Sequence, residues 1–165
     1  MPHAALFVAR FCSSAWLGAA TLFVIVGIRE VTQSSFDAAT KDTLVALRFP
    51  AYYLTGAILV AAAWLGTCLA AKHPDLTKRR VTIALFSLLA TLTVMALDYR
   101  FVYQPLLAMV TPPGVEKTSA FKPYHDASKY VNLLGLTLCL VASIALNWPI
   151  RSTGIASEGL RQRNP

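Results

Sequence analysis

The stretch FKPYHDASKYVNLLGLTLCLVASIALNW, running from Phe121 to Trp148, decides the fold. At about 100° per residue, His125, Ser128, Asn132, Gly135, Cys139, Ser143 and Asn147 fall within roughly one third of a helix circumference. Tyr130, Leu134, Leu138, Val141 and Ala145 cover the opposite side. Lipid cannot hydrogen-bond an amide or a hydroxyl. A seam of such groups therefore predicts a membrane helix turned toward companion helices or a watered cavity.

Composition agrees with a membrane setting. Of 165 residues, 56% are hydrophobic and only 14% are charged, where a soluble domain carries about a quarter charged. Mean hydropathy is +0.54. The net charge of +7 does not point to nucleic acid, because no basic domain stands apart from the apolar runs and membrane proteins collect Lys and Arg at the cytoplasmic face. Cys12, Cys68 and Cys139 lie inside apolar runs without CxxC spacing, which reads as small packing residues. His3, His73 and His125 sit near or beyond the span ends. No metal or cofactor is expected from any of these.

Three further apolar runs supply the companions. The first span covers Leu6 to Ile28, with Arg10 close enough to its start to reach the interface. Small residues at Ser14 and Gly18 predict a close helix approach. Ser34 to Leu47 reads as a short surface helix capped by Ser35. The second span covers Phe49 to Ala71, with Pro50 in its first turn, where a missing N–H costs nothing. Ala62, Gly66 and Ala70 recur every four residues there and form a second packing seam, matched by Gly135 in the last helix. The third span covers Val81 to Leu97, and helix is expected to continue only until Pro105 interferes. Leu106 to Val110 is too short to cross again, and Thr111-Pro112-Pro113-Gly114 is a loop signal. The fourth span covers Lys129 to Trp148, ended by Pro149. The expectation is an all-α, four-helix transmembrane bundle over residues 1–150, with a polar cytoplasmic tail over 151–165.

Four spans put both termini on one side. The compact loop carrying Lys72, Lys78, Arg79 and Arg80 assigns that side, and both termini, to the cytoplasm. All six tyrosines then gather at the non-cytoplasmic ends of the spans. Aromatic belts account for part of this, but Arg48, Asp98, Arg100, His125, Ser128 and Asn132 share the layer. With Tyr52, these six are the candidate ligand-binding residues. Asp98 is expected to pair with Arg48 or Lys129. One reading is a polar clasp that fixes helix register; the other is the mouth of a ligand cavity. A transport pathway would further need a watered cavity lined by Asn132, Ser143 and Asn147. No nucleophile motif, phosphate loop or metal spacing is present, so His125 with Asp98 is the one acid–base pair available to an enzymatic reading.

Phe121-x3-His125-x2-Ser128-x3-Asn132 resembles the signature opening the last helix of the transmembrane-protein-205-like family, small four-span proteins carried as a domain of unknown function. Trp16-x-Gly18 and Arg48-Phe49-x3-Tyr53 are similar to its first- and second-span motifs, and Pro105 after the third span also fits. The resemblance implies a four-helix membrane bundle. Together these readings lead to a non-enzymatic, multi-pass protein of a cell or inner membrane that supports transport or binds a small ligand or partner. Its partners would be the lipid bilayer and a second copy or larger membrane complex. The alternatives are an accessory structural subunit and a small enzyme using His125 and Asp98.

Overall fold

A computed structural model describes residues 2–149 of the chain. The tail assigned to 151–165, with its arginines, lies outside them. The described residues form helices and no strand: α1 Pro2–Thr32, α2 Ala38–Leu69, α3 Lys78–Asp98, a π-helical turn Tyr99–Tyr103, α4 Gln104–Met109 and α5 Phe121–Asn147. Four helices are long and apolar enough to cross a membrane, α3 through α4 counting as one of 32 residues. They pack in a ring, α1 beside α2, α2 beside α3, α3 beside α5, and α5 back onto α1. Large apolar side chains such as Phe7, Leu54, Phe86 and Leu133 face outward, which suits lipid and not water.

At 31 residues, α1 is about 46 Å long, well beyond the roughly 30 Å of bilayer hydrocarbon. The surplus lies at one end of the bundle. There the last turns of α1, the start of α2, the π turn, α4 and the start of α5 form a collar above the spanning core.

Two expectations about the collar are corrected. The segment from Ser34 to Leu47 is not a separate surface helix capped by Ser35. A single helix runs through Pro50, and its cap is Asp37, which accepts from the Thr40 N–H at 2.7 Å. The same interaction holds the Asp37 carboxyl below the usual carboxylate range. Pro50 removes one backbone bond, and the helix stays continuous through it, with the rings of Phe49, Tyr52 and Tyr53 on its flanks in contact with one another. Pro105 likewise does not end the third span. It falls at the start of α4, just after the π turn, whose wider winding moves the preceding carbonyls away from the proline ring.

The opposite end is tied by arginines. The C-terminus of α5 has no glycine cap; instead Arg80 Nε donates to Ala145 O at 2.8 Å and Arg10 Nε to Leu146 O at 2.8 Å, while Arg80 also reaches Trp148 O. These bonds satisfy carbonyls that a helix end leaves open and place cations at its negative pole. Nearby, buried His73 accepts from the Asp75 N–H through Nδ1 at 3.1 Å. Its Nε2–H therefore donates to His3 Nδ1, 2.8 Å away.

Small residues set the helix spacing, though not all those expected to. A Cβ on Gly66 would stand 2.8 Å from Ala5 O and 3.0 Å from Ala9 N, so the Ala62–Gly66–Ala70 seam is the α1–α2 contact within one chain. Gly135 is buried but meets nothing nearer than Val94 Cγ1 at 3.7 Å. Gly18 is a correction: it faces outward with nothing within 4 Å, on nearly the opposite side of α1 from the buried stripe Cys12, Ser13, Trp16 and Ala20. Ser14 keeps a contact, its Oγ 3.2 Å from Ser143 Oγ. Gly56 is the position sequence reading passed over. A Cβ there would meet Trp16 Cη2 and Met95 Cε at 2.5 Å each. Cys68 is exposed, not packed as expected; Cys12 and Cys139 are buried.

Candidate functional site: a collar cavity above a buried carboxylate

The polar seam of α5 turns inward along most of its length. Ser128, Gly135, Cys139 and Ser143 are buried, and its upper part meets α2 and α3. Tyr53 Oη donates to Asp98 Oδ2 at 2.5 Å. Asn132 Nδ2 donates to the same oxygen at 3.1 Å and to Ser128 O at 2.9 Å. Tyr52 Oη donates to Asn132 Oδ1 at 3.0 Å. Three helices are thus joined through one carboxyl that is only 3% exposed. Its second oxygen, Oδ1, is buried without a partner among the described residues.

Asp98 pairs with neither Arg48 nor Lys129, which corrects the expected ion pair. Arg48 stands 2.7 Å from Glu30 and lies over the Phe23 ring. Lys129 bonds Asp126 one turn back at 3.0 Å. Adjacent in-helix carboxylates and α1 reach these cations at less desolvation than a buried aspartate could. Arg100 is exposed and sits over Phe101, outside the cluster. His125 stacks on Phe121 and makes no hydrogen bond to Asp98 among the described residues, so the acid–base pair is not assembled.

Two cavities flank the network. A small chamber of about 10 Å³ lies among Trp16, Tyr52, Thr91, Met95, Asp98 and Asn132. A cavity of about 730 Å³ opens in the collar. Phe23, Val24, Ile28, Val45, Phe49, Leu106 and Leu107 give it apolar walls, and Lys41, Arg48, Tyr103, His125, Ser128, Lys129 and Asn132 give it polar ones. Phe121, His125, Ser128 and Asn132, which the sequence motif spaces over three turns, all line it. Asp42 also borders it but is engaged, accepting from the Gly114 N–H at 3.0 Å and from Lys117. Two of these residues carry a buried donor with no hydrogen-bond partner among the described residues, Arg48 Nη1 and Tyr103 Oη, and Glu30 Oε2 beside Arg48 is likewise buried, held by the ion pair alone.

The cavity stops at Asn132 and Leu136. Below it the seam is closed, with Ser143 against Ser14 and Cys139 Sγ 3.7 Å from Ser13 O. The watered path along Ser143 and Asn147 that a transport pathway would need is therefore absent from the described residues, because small side chains there let α1 and α5 touch. Glu30, Asp42, Tyr53, Tyr103 and Lys117 are site residues that sequence reading did not select. Tyr53 and Tyr103 carried a signal, as two of the six tyrosines assigned to this layer, and Tyr53 also closes the Arg48-Phe49-x3-Tyr53 motif; Glu30, Asp42 and Lys117 carried none.

Searches against family models, curated proteins and solved structures find no match for this chain. The fold and site define its class: a helical bundle with four helices fit to cross a bilayer and an open pocket at one end.

Proposed function

We propose that this chain is a non-enzymatic membrane protein that holds an anionic amphiphile in its collar cavity. One observation carries the reading: an apolar cavity of about 730 Å³, within the 300–1,000 Å³ range typical of small-molecule sites, is bordered by Arg48 and Tyr103, each with a buried donor that has no acceptor among the described residues. Unmet donors beside Lys41 and Lys129 favour a carboxylate or phosphate head, and the Phe and Leu walls favour an acyl or similar tail. The mouth lies at the interface end of the bundle, where amphiphiles concentrate. Kinship with the transmembrane-protein-205-like family belongs to the same proposal; the four motif residues lining the cavity support it. The Lys78-Arg79-Arg80 cluster supports cytoplasmic termini and a cavity on the other face.

The test is a displacement series on protein reconstituted in neutral lipid, using amphiphiles of one chain length that end in a carboxylate, an alcohol or an amine. The carboxylate should bind tightest, and Glu30→Gln/Arg48→Gln, which leaves net charge unchanged, should weaken it about tenfold or more. Equal binding of all three, or no effect of the double variant, would refute the reading.

A further inference from the structure

Asp98 is not accounted for by amphiphile binding. Its carboxyl carries two unlike oxygens. Oδ2 accepts from Tyr53 at 2.5 Å, the length of a charge-assisted O–H···O⁻ bond, and from Asn132 at 3.1 Å. Oδ1 is equally buried and accepts from nothing among the described residues. A scaffold carboxylate would have both oxygens engaged, since each unmet acceptor in a low-dielectric interior is costly.

The surroundings decide what Oδ1 is suited to receive. The α1 side offers Trp16, without a titratable group, and α5 offers Asn132 and Ser128. From α2 come the phenols of Tyr52 and Tyr53, and the π turn adds Tyr99 and Tyr103, packed on Tyr53. Asp98 takes part in no ion pair among the described residues. Tyr53 and Asn132 both point donors at the carboxyl. A metal ion needs several lone pairs directed inward, and this ring turns protons inward instead. A proton needs only one lone pair.

Access is equally specific. The chamber beside Asp98, at about 10 Å³, has about the room of a single water. Tyr52, Asn132 and Leu136 line both this chamber and the collar cavity, so the Tyr52–Asn132 hydrogen bond is the partition between them.

We propose that Asp98 is a reversible proton-binding site whose proton enters and leaves through Oδ1, by way of the one-water chamber and the Tyr52–Asn132 partition. In the anion, Tyr53 and Asn132 hold the charge on Oδ2. On uptake, hydronium in the chamber gives a proton to Oδ1, forming one O–H bond and leaving neutral water, while Oδ2 keeps both donors as the carbonyl oxygen of the acid. The chain thereby stores one proton just below its cavity on a carboxyl that no described cation pairs with.

The experiment is infrared difference spectroscopy of full-length protein in liposomes, taken across a pH titration from about 4 to 9 with no amphiphile added. A protonated-carboxyl C=O band that grows and fades reversibly with pH is expected, absent in Asp98→Asn and shifted in frequency in Tyr53→Phe. Tyr52→Phe should quicken its response to a pH jump by opening the partition. Should Asp98→Asn fail to fold, ¹³C-aspartate labelling with the Tyr53→Phe shift gives the same assignment. No pH-responsive band assignable to Asp98, or one indifferent to Tyr53→Phe, would overturn the proposal. Because no amphiphile is present, this outcome is independent of the displacement series.

Discussion

Tyr53 and Asp98, 45 residues apart, share a 2.5 Å hydrogen bond that joins α2 to α3 where the spanning core meets the collar. The carboxyl is all but sealed from bulk solvent, so removing the bond leaves Oδ2 with Asn132 as its remaining donor. Tyr53→Phe is expected to lower stability by about 1–2 kcal/mol: polar contacts between membrane helices average about 0.6 kcal/mol, and here a buried carboxyl loses its principal donor. Tyr52→Phe should cost less, because Asn132 stays held by Asp98 and Ser128. Unfolding of both variants in mixed micelles checks the order. Equal stabilities would contradict it.

The glycines form a graded series. Gly56→Ala drives a methyl into Trp16 and Met95, and Gly66→Ala drives one into the α1 backbone. Both should destabilise by about 1–3 kcal/mol, with Gly66 the less forgiving because backbone cannot rotate away. Gly135→Ala has ordinary contact distance to Val94, and Gly18→Ala meets open space. Those two should be neutral or gain up to about 1 kcal/mol from helix propensity. Thermal denaturation of the four variants in one detergent measures the series directly.

At the other end, Arg80 and Arg10 hold the last carbonyls of α5. Arg80→Gln should loosen that turn by about 1–2 kcal/mol, and Arg10→Gln by less, since Arg10 makes one such bond and Arg80 two. Faster hydrogen exchange at 144–147, with the middle of α5 unchanged, is the expected signature. Unchanged exchange there would show the arginines to be bystanders.

How much of this was legible in the sequence follows from the range of the interactions. The inward seam of α5 was legible, because period 3.6 and lipid's lack of hydrogen bonds fix it locally. So was the α1–α2 seam through Gly66. Gly18 was misread, since a small residue marks only where an approach is allowed, and the larger Trp16 set the buried face. Pro50 and Pro105 were read as boundaries because their cost is local, whereas the packing and the π turn that absorb it depend on other helices. In the site, Tyr52, Asp98, Ser128 and Asn132 were placed in the right layer, but their partners were not. Asp98 lies 34 residues from Asn132, and Asp42 lies 72 from Gly114; no periodicity reports on such pairs. Charge rules suggested Arg48 for Asp98, and Glu30 claimed it instead.

The most direct measurement is native mass spectrometry of the wild-type protein and a Val45→Trp variant, which plugs the collar cavity, each released from membranes containing a long-chain carboxylate. Wild type is predicted to retain one carboxylate per chain and the plugged variant none, with their melting temperatures alike. Equal retention by both, or none by either, would contradict a ligand-holding collar.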